Sequence, residues 1–320
     1  MPNAMSTANI ALPKKVAAAI RTKIKDSSTI AALSPREGKL FQDETYLVFD
    51  GASEADVVAE GAAKGYYEQA VTPIVANRAT IQTTTRVSKQ LQWADEDDQL
   101  EIISQIQNDQ AEAMARAIDY LTYHAVNPKT GATLSGYTAL SAASGVNNVY
   151  LGAALASATD AQLVASIDKM AEAVNDGYDI SGFALAKTYA NALRKIRVAN
   201  TMQRLYPEIP LSLKLGNIEG ISAACSGTVN GRLKATTTGT GDNAVTTYGT
   251  DILGIMGDYS LIRWGFVRDI MAEVIEFGDP DGQGDLKRYN QIAFRTESVL
   301  AWAVVDPAAF AILHAGSAPS

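Results

Sequence analysis

The longest amphipathic pattern in this chain of 320 residues runs from Asp97 to Ala125 and predicts one long helix. Four consecutive acidic residues, 95–98, stand at its start, where the dipole of a helix favours negative charge. At 1.5 Å per residue the helix would be about 44 Å long, which suits a spine that braces an elongated domain. Gln110 is the one polar exception on an apolar stripe. The stripe comprises Leu100, Ile103, Ile106, Met114, Ala117, Ile118 and Leu121.

A second feature is a segment that cannot supply a core. Residues 52–69, ASEADVVAEGAAKGYYEQ, are small, acidic and interrupted by glycines. Runs rich in β-branched and aromatic residues flank this segment at 44–51 and 79–88, and such runs predict strands. We therefore expect the segment to form a hairpin or loop that protrudes from the body.

The rest of the chain alternates between helix and strand patterns. We expect an amphipathic helix over 160–176, a strand over 181–187 and a further helix over 189–200. The glycine- and threonine-rich stretch 226–250 predicts a long loop or weak hairpin. Two more strands, separated by the turn sequence GDPDGQGD, are expected towards the C-terminus. Together these patterns predict an α+β fold.

Charge is unevenly distributed along the chain. The first 40 residues carry seven Lys and Arg against two acidic residues, although the formal net charge of the whole chain is −8. A basic arm on an acidic body is typical of a segment that meets a polyanion or an acidic neighbour, and a solvated helix face explains it equally well. The acidic body argues against a sequence-specific nucleic-acid-binding protein.

The sequence favours neither membrane insertion nor secretion. No window approaches the roughly 18 consecutive apolar residues that a membrane-spanning helix needs. The basic N-terminal region leads into more charge rather than into the apolar core of a signal peptide. Cys225 is the only cysteine, and we expect it to be a small buried side chain.

We found no pattern that predicts a small-molecule active site. The two histidines, His124 and His314, have no second His or Cys at metal-ligand spacing, so no metal site is expected. The glycines near 239–241 lack the Lys-Ser/Thr of a phosphate-binding loop, and no GxSxG motif precedes a helix. No cofactor is expected. A soluble α/β enzyme is therefore the least favoured of the functions considered.

Three separated stretches carry a family resemblance. The first is VVAEGAAK (57–64) followed by RVSKQL (86–91), and the second is GFALAKTYANALRKI (182–196) with LYPEIPL and LGNIEGISA downstream. The third is RYNQIAFRTESVLAWAVVDPAAFAIL (288–313). In this order they resemble the major capsid proteins of tailed bacteriophages, which have the Hong Kong 97-type fold. The sequence Glu219-Gly220-Ile221 lacks a proline that the family commonly has there.

The resemblance implies an α+β Hong Kong 97-type capsid fold with an N-terminal arm, an extended hairpin loop, a peripheral domain with a long spine helix, and an axial α/β domain. The expected bounds are 1–45 for the arm, 46–76 for the extended loop, 77–148 and 256–315 for the peripheral domain, about 97–125 for the spine helix, 149–255 for the axial domain and 316–320 for a tail.

Some members of this family crosslink their shells by a self-catalysed isopeptide bond. By resemblance the reacting lysine falls on Lys64, the asparagine that it attacks on Asn290, and the glutamate that takes up the proton on Glu297. A lysine must be neutral to attack, which requires desolvation or a nearby base. The alternative is structural: Lys64 pairs with acidic groups of a neighbour, and Glu297 pairs with Arg295 or Arg288.

The function that the resemblance implies is structural rather than enzymatic. Copies of the chain would assemble into hexamers and pentamers that form the icosahedral head of a virion, built in the cytoplasm of the bacterial host. Packaged double-stranded DNA, bound without sequence preference, is the expected non-protein partner, with no membrane. A separate scaffolding protein, a portal and decoration proteins are the further expected partners. The alternative is an encapsulin-like shell of a bacterial nanocompartment, which holds a cargo enzyme.

Overall fold

The structure is a computed structural model. It describes residues 27–37, 45–49, 55–66, 71–98, 102–198, 200–231, 235–238 and 245–319. Most of the predicted arm lies outside the described residues. Among the described residues, no helix is both long enough and apolar enough to cross a bilayer.

Five α-helices are described. They are α1 (Ile30–Leu33), α2 (Lys89–Asp98), α3 (Ile102–His124), α4 (Asp160–Asn175) and α5 (Lys187–Leu193). The strands are β1 (Thr45–Phe49), β2 (Val71–Val75), β3 (Asn77–Ser88), β4 (Asn147–Tyr150), β5 (Gly182–Ala186), β6 (Asn217–Ile218), β7 (Ile221–Ser226), β8 (Ala235–Thr238), β9 (Val245–Tyr248), β10 (Ile252–Gly257), β11 (Ile262–Ile275), β12 (Gln291–Val304) and β13 (Phe310–His314). The chain is therefore an α+β protein, as the sequence predicts.

The larger sheet has six strands in the order β4-β13-β10-β5-β7-β6. Its central strands β5 and β10 are buried along their whole length, which their apolar and small residues allow. Helices α4 and α5 pack on this sheet and are joined by a hydrogen bond of 2.7 Å between the Ser166 and Tyr189 hydroxyls. Thr159 and Gln162 form a capping box that fixes the start of α4.

The smaller sheet has three long antiparallel strands in the order β11-β12-β3, and α3 packs against it. Gln110, the polar exception on the apolar stripe, is buried at this contact. Its amide nitrogen donates to the Phe294 carbonyl (3.0 Å) and to the Thr85 hydroxyl (2.9 Å), and its amide oxygen accepts from Thr296 (2.7 Å). Gln110 thus joins α3 to both β3 and β12 through its hydrogen bonds.

The predicted helix start is wrong. The acidic run 95–98 ends α2, and α3 begins at Ile102 after residues outside the described range. The reason is local: the Ser88 hydroxyl accepts from the Leu91 backbone N–H (3.2 Å), which starts a helix directly after β3. Leu91 is fully buried beside Val87, so this earlier helix is held by its apolar contacts. The predicted C-terminal end, Ala125, agrees with the observed His124 to one residue.

The sheet topology also differs from the expected division at residues 255 and 256. Strand β13 lies between β4 and β10 in the six-stranded sheet, although the sequence placed 256–315 with the smaller sheet. The reason is burial: Phe310 to Leu313 are fully buried, and such a strand needs a neighbour on each edge. Strands β11 and β12 lie in the smaller sheet, where the division expects them.

Two hairpins extend the molecule. Strands β1 and β2 pair in the register Thr45↔Val75 to Phe49↔Val71, and the described part of their connection, 55–66, has no regular structure beyond turns. Strands β8 and β9 form the second hairpin inside the glycine- and threonine-rich stretch. The first hairpin falls in the range where the extended loop was expected, and the second falls in the stretch where a long loop or weak hairpin was expected.

Candidate assembly surfaces

The hairpin β1–β2 leaves an apolar face uncovered by its own chain. Side chains alternate between the two faces of a strand, so Leu47, Val71 and Val75 lie on one face. Their exposed fractions are 61%, 43% and 58%. An isolated two-stranded hairpin is marginally stable in water, and an exposed apolar face marks an interaction surface. Val57 and Tyr66 in the connection are exposed too, at 96% and 92%.

Lys64 lies in the connection of this hairpin and is exposed. No ion pair of Lys64 occurs within the described part of the chain. An exposed lysine in this connection is available to a second molecule.

Asn290 ends the turn before β12 and is also exposed. Its φ of 51° lies in the left-handed region, which asparagine tolerates better than most residues. The backbone fixes this position, because the Asn290 carbonyl accepts from the Lys89 N–H (3.0 Å) and the Asn290 N–H donates to the Lys287 carbonyl (3.3 Å). The side-chain amide is therefore presented to solvent by a held backbone.

Glu297 is half-buried in the middle of β12, opposite Gln82 on β3 and Met271 on β11. It lines a surface hollow of about 440 Å³ together with Arg268, Met271, Ala272, Glu273 and Arg295. The structural alternative for this residue is an ion pair with Arg295.

That ion pair is not found among the described residues. The Arg295 guanidinium donates instead to the Thr84 hydroxyl (3.2 Å) and to the Pro280 carbonyl. Arg288 lies 5.9 Å from the ring centre of Tyr289. Glu297 thus faces the hollow, which Arg268 and Arg295 also line, without an ion pair among the described residues.

One chain does not bring Asn290 and Glu297 together. Seven residues of extended chain separate them, which is about 23 Å at 3.3 Å per residue. A single reaction centre that used Lys64, Asn290 and Glu297 would need side chains from separate copies.

The turn that carries Asn290 is clipped to the smaller sheet by Arg86. The side chain of Arg86 is 4% exposed, and it forms ion pairs with Asp279 (2.9 Å) and Asp281. The Arg86 Nε also lies 2.8 Å from the nearer carboxylate oxygen of Asp281. The hydrogen bond from Arg86 lowers the pKa of Asp281, so the carboxylate stays charged and the clip stays closed over the ordinary pH range.

A second fixed point is the buried carboxylate of Asp119 on α3. It accepts hydrogen bonds from the Ser28 hydroxyl (2.6 Å), the Thr29 N–H (2.8 Å) and the Ile30 N–H (3.2 Å). The Thr228 hydroxyl donates to it from the end of β7. Asp119 therefore joins residues 28–30 of the predicted arm, the spine helix and the six-stranded sheet. Burial raises its pKa above the ordinary range of a carboxyl, and the hydrogen bonds oppose this shift.

Sequence reasoning missed Asp119 and Arg86. The signal for Asp119 was present, because a carboxylate stands between Ile118 and Tyr120 in an otherwise apolar stretch and must be paired if buried. Arg86 gave a weaker signal, since its partners Asp279 and Asp281 lie almost 200 residues away in sequence. Only the fold brings these groups together.

Comparisons with known proteins bear on the whole chain. No protein-family model matches it, and no curated protein matches it. A chain of Mycobacterium phage Ogopogo is 29% identical, with a TM-score of 0.78 over 98% of this chain and 99% of that chain. A chain of Gordonia phage Cozz is 24% identical, with a TM-score of 0.74 over 98% of this chain and 94% of that chain. The capsid of an empty GTA particle is 14% identical, with a TM-score of 0.60 over 97% of both chains.

Each match extends over nearly the full length of both compared chains, so it includes the hairpin, the spine helix and both sheets. The resemblance that the three sequence stretches indicated is confirmed, and so is the predicted fold class. The chain has the Hong Kong 97-type capsid fold of the tailed-phage major capsid proteins.

Proposed function

We propose that this chain is a major capsid protein whose copies assemble into hexamers and pentamers and close an icosahedral head around double-stranded DNA. One observation carries the proposal: a full-length phage capsid fold occurs in a chain whose hairpin leaves the apolar face of Leu47, Val71 and Val75 open. Identical neighbours in a closed shell would cover that face, and the symmetry of the shell would repeat the contact. The protein is then a component of the virion, assembled in the host cytoplasm.

The content of the particles tests this function against its alternative. We expect negative-stain microscopy of particles purified from the host to show closed shells, with DNA protected from nuclease in mature heads. Shells that hold a cargo enzyme and no DNA would instead identify an encapsulin-like compartment. A stable monomer that turns over a small substrate would contradict both structural functions.

Partners other than identical copies follow from the same proposal. The basic N-terminal 40 residues would contact packaged DNA through phosphate charge, without sequence preference. A separate scaffolding protein, a portal and decoration proteins would complete the head. A salt-dependent affinity of the particles' inner surface for DNA of any sequence is the expected sign of the arm contact.

We also propose that mature shells are crosslinked through Lys64. Its amine would attack the side-chain carbonyl carbon of Asn290 in a second copy, with loss of ammonia and formation of an amide bond. Glu297 of a further copy would take up the proton of the attacking amine. The separation of Asn290 from Glu297 along β12 supports the assignment to different copies, because one chain cannot supply both to one centre.

A further inference from the structure

Two oppositely charged surfaces of the six-stranded sheet domain form no ion pair among the described residues. The first, here called the basic hairpin, comprises residues 194–198 and 200–205 after α5. It holds Arg194, Lys195, Arg197 and Arg204 and no acidic residue. Within the described part of the chain, none of these four forms an ion pair.

The basic hairpin has a defined backbone. The Val198 N–H donates to the Gln203 carbonyl (2.9 Å), and the Leu205 N–H donates to the Ile196 carbonyl (3.2 Å). This pairing places Arg197 directly opposite Arg204. Like charges directly opposite each other destabilise a strand pair, so the isolated chain gains nothing from this arrangement.

Apolar side chains are exposed among these charges. Met202 is 72% exposed, Val198 40% and Leu205 39%. An apolar centre with a charged rim is the usual anatomy of a protein–protein interface. A phosphate backbone would be attracted by the arginines, but Val198, Met202 and Leu205 would add no binding free energy to that contact.

The second surface, here called the acidic ridge, comprises Asp168, Glu172 and Asp176 of α4. They follow one another at four-residue spacing and are exposed, so they form one row on the outer face of the helix. Like charges at this spacing destabilise a helix. Asp176 is also the C-cap of α4, where the dipole disfavours an acidic side chain, and the last turn has no basic residue.

The two surfaces have opposite signs, and each carries a local repulsion that an opposite charge would relieve. They also lie near each other in one chain, because α4 contacts α5, after which the basic hairpin begins, and burial, aided by the Asp168 carboxylate, raises the pKa of Tyr206 just beyond the hairpin. A contact between the hairpin of one copy and the ridge of another joins two different surfaces, which is a head-to-tail arrangement.

We propose that the basic hairpin of one copy docks on the acidic ridge of a neighbouring copy and that this contact joins copies within the shell. The proposal rests on the shell function proposed above and names two surfaces that would build it. DNA is the other polyanion in such a particle, but the acidic ridge of the same domain would repel it.

Charge reversal tests the contact. The hairpin variant is Arg197→Glu with Arg204→Glu, and the ridge variant is Glu172→Lys with Asp176→Lys; in each variant the two changed positions still carry the same sign as one another. We expect each variant to lower the yield of closed shells by tenfold or more and the combination of all four changes to restore it. Lys169→Glu, on the same helix, is the matched control and should assemble as the unmodified protein does.

The outcomes separate this contact from the shell function itself. If the unmodified protein forms shells and both reversals assemble equally well, the contact is wrong and the shell function stands. The contact is also wrong if the combined variant keeps its thermal unfolding midpoint but does not recover assembly. Hairpin-variant shells of normal yield that package less DNA would assign the basic hairpin to the genome instead. If the unmodified protein forms no shells, the shell function itself fails.

Discussion

Asp119 is the residue on which three parts of the chain converge. Its carboxylate is the common acceptor for the Thr29 and Ile30 backbone N–H groups of the predicted arm and for the Thr228 hydroxyl just after β7 of the larger sheet. Removing a buried acceptor leaves its donors unpaired, which costs about 1–3 kcal/mol for each buried group. One side chain therefore couples the position of the arm to the packing of both sheets.

We expect Asp119→Asn to lower the thermal unfolding midpoint, and to lower it more at pH 4 than at pH 7. The folded pKa of Asp119 is raised by burial, so its contribution to stability is present below the unfolded pKa and is lost as pH rises through the folded value. The neutral amide lacks that titration. Calorimetry of both proteins at the two pH values measures the difference, and an equal difference at both would contradict the raised pKa.

Arg86 fixes the turn 276–290 to the smaller sheet. Arg86→Ala should release the turn 276–290 and speed hydrogen exchange at the Leu286 and Gln291 amides, which close that turn through the Gly278 and Leu286 carbonyls. Removing the arginine leaves two carboxylates close together without a counter-charge. Hydrogen exchange read by mass spectrometry checks this.

Arg288→Ala is the matched control, because Arg288 belongs to the same turn but forms no ion pair among the described residues. Unchanged exchange in the Arg86 variant, or equal changes in both variants, would show that the clip does not hold the turn.

At the scale of elements, we expect the apolar face of the hairpin β1–β2 to contribute to assembly but not to the stability of a single chain. Leu47→Ser with Val75→Ser should leave the unfolding midpoint of the unassembled protein within about 1 °C, because both side chains are already exposed in the chain. Shell formation should fall sharply, since burying serine side chains contributes much less favourable free energy than burying Leu47 and Val75. Light scattering during assembly measures this effect.

Thr72→Ser, on the opposite face of the same hairpin, is the control for that experiment. A double variant that assembles as fast as this control would mean that the apolar face stays open in the particle.

Regular elements were largely predictable from sequence because their signals are local. The β-branched run of β3, the amphipathic pattern of α4 and the apolar run of β5 each match the observed element closely. The start of α3 was not predictable, because the acidic run 95–98 has the composition of a helix start but forms the end of a helix that Ser88 and Leu91 hold. Strand β13 was placed in the wrong sheet because pairing partners far apart in sequence leave no local signal.

The candidate site residues show the same limit. The loop position of Lys64 follows from the composition around it. Asn290 was expected in the strand after the turn sequence GDPDGQGD, but it lies in the turn before β12. The orientation of Glu297 into a hollow depends on the register of three strands, and the partners of Arg295 depend on the returning turn. The sequence indicates the kind of segment in which a residue lies, whereas the tertiary contacts of that residue depend on the fold.

At the scale of the whole molecule, the proposed crosslink gives a measurement of its own. Boiled and reduced mature particles should run as ladders far above the 33.9 kDa chain, and Lys64→Ala particles should give one band at that mass. Asn290→Ala should abolish the ladder in the same way. Lys129→Ala, a second exposed lysine, should leave the ladder intact. A single band from mature unmodified particles would contradict crosslinking without touching the shell function.

The central claim is that identical copies cover the surfaces that one chain leaves open. A cryo-electron microscopy reconstruction of purified particles tests it most directly. We expect a closed icosahedral shell in which the hairpin β1–β2 lies on the body of a neighbouring copy, with Leu47 and Val75 buried there. A hairpin folded against its own chain, or a purified protein that remains a solitary folded molecule under all assembly conditions, would contradict the account.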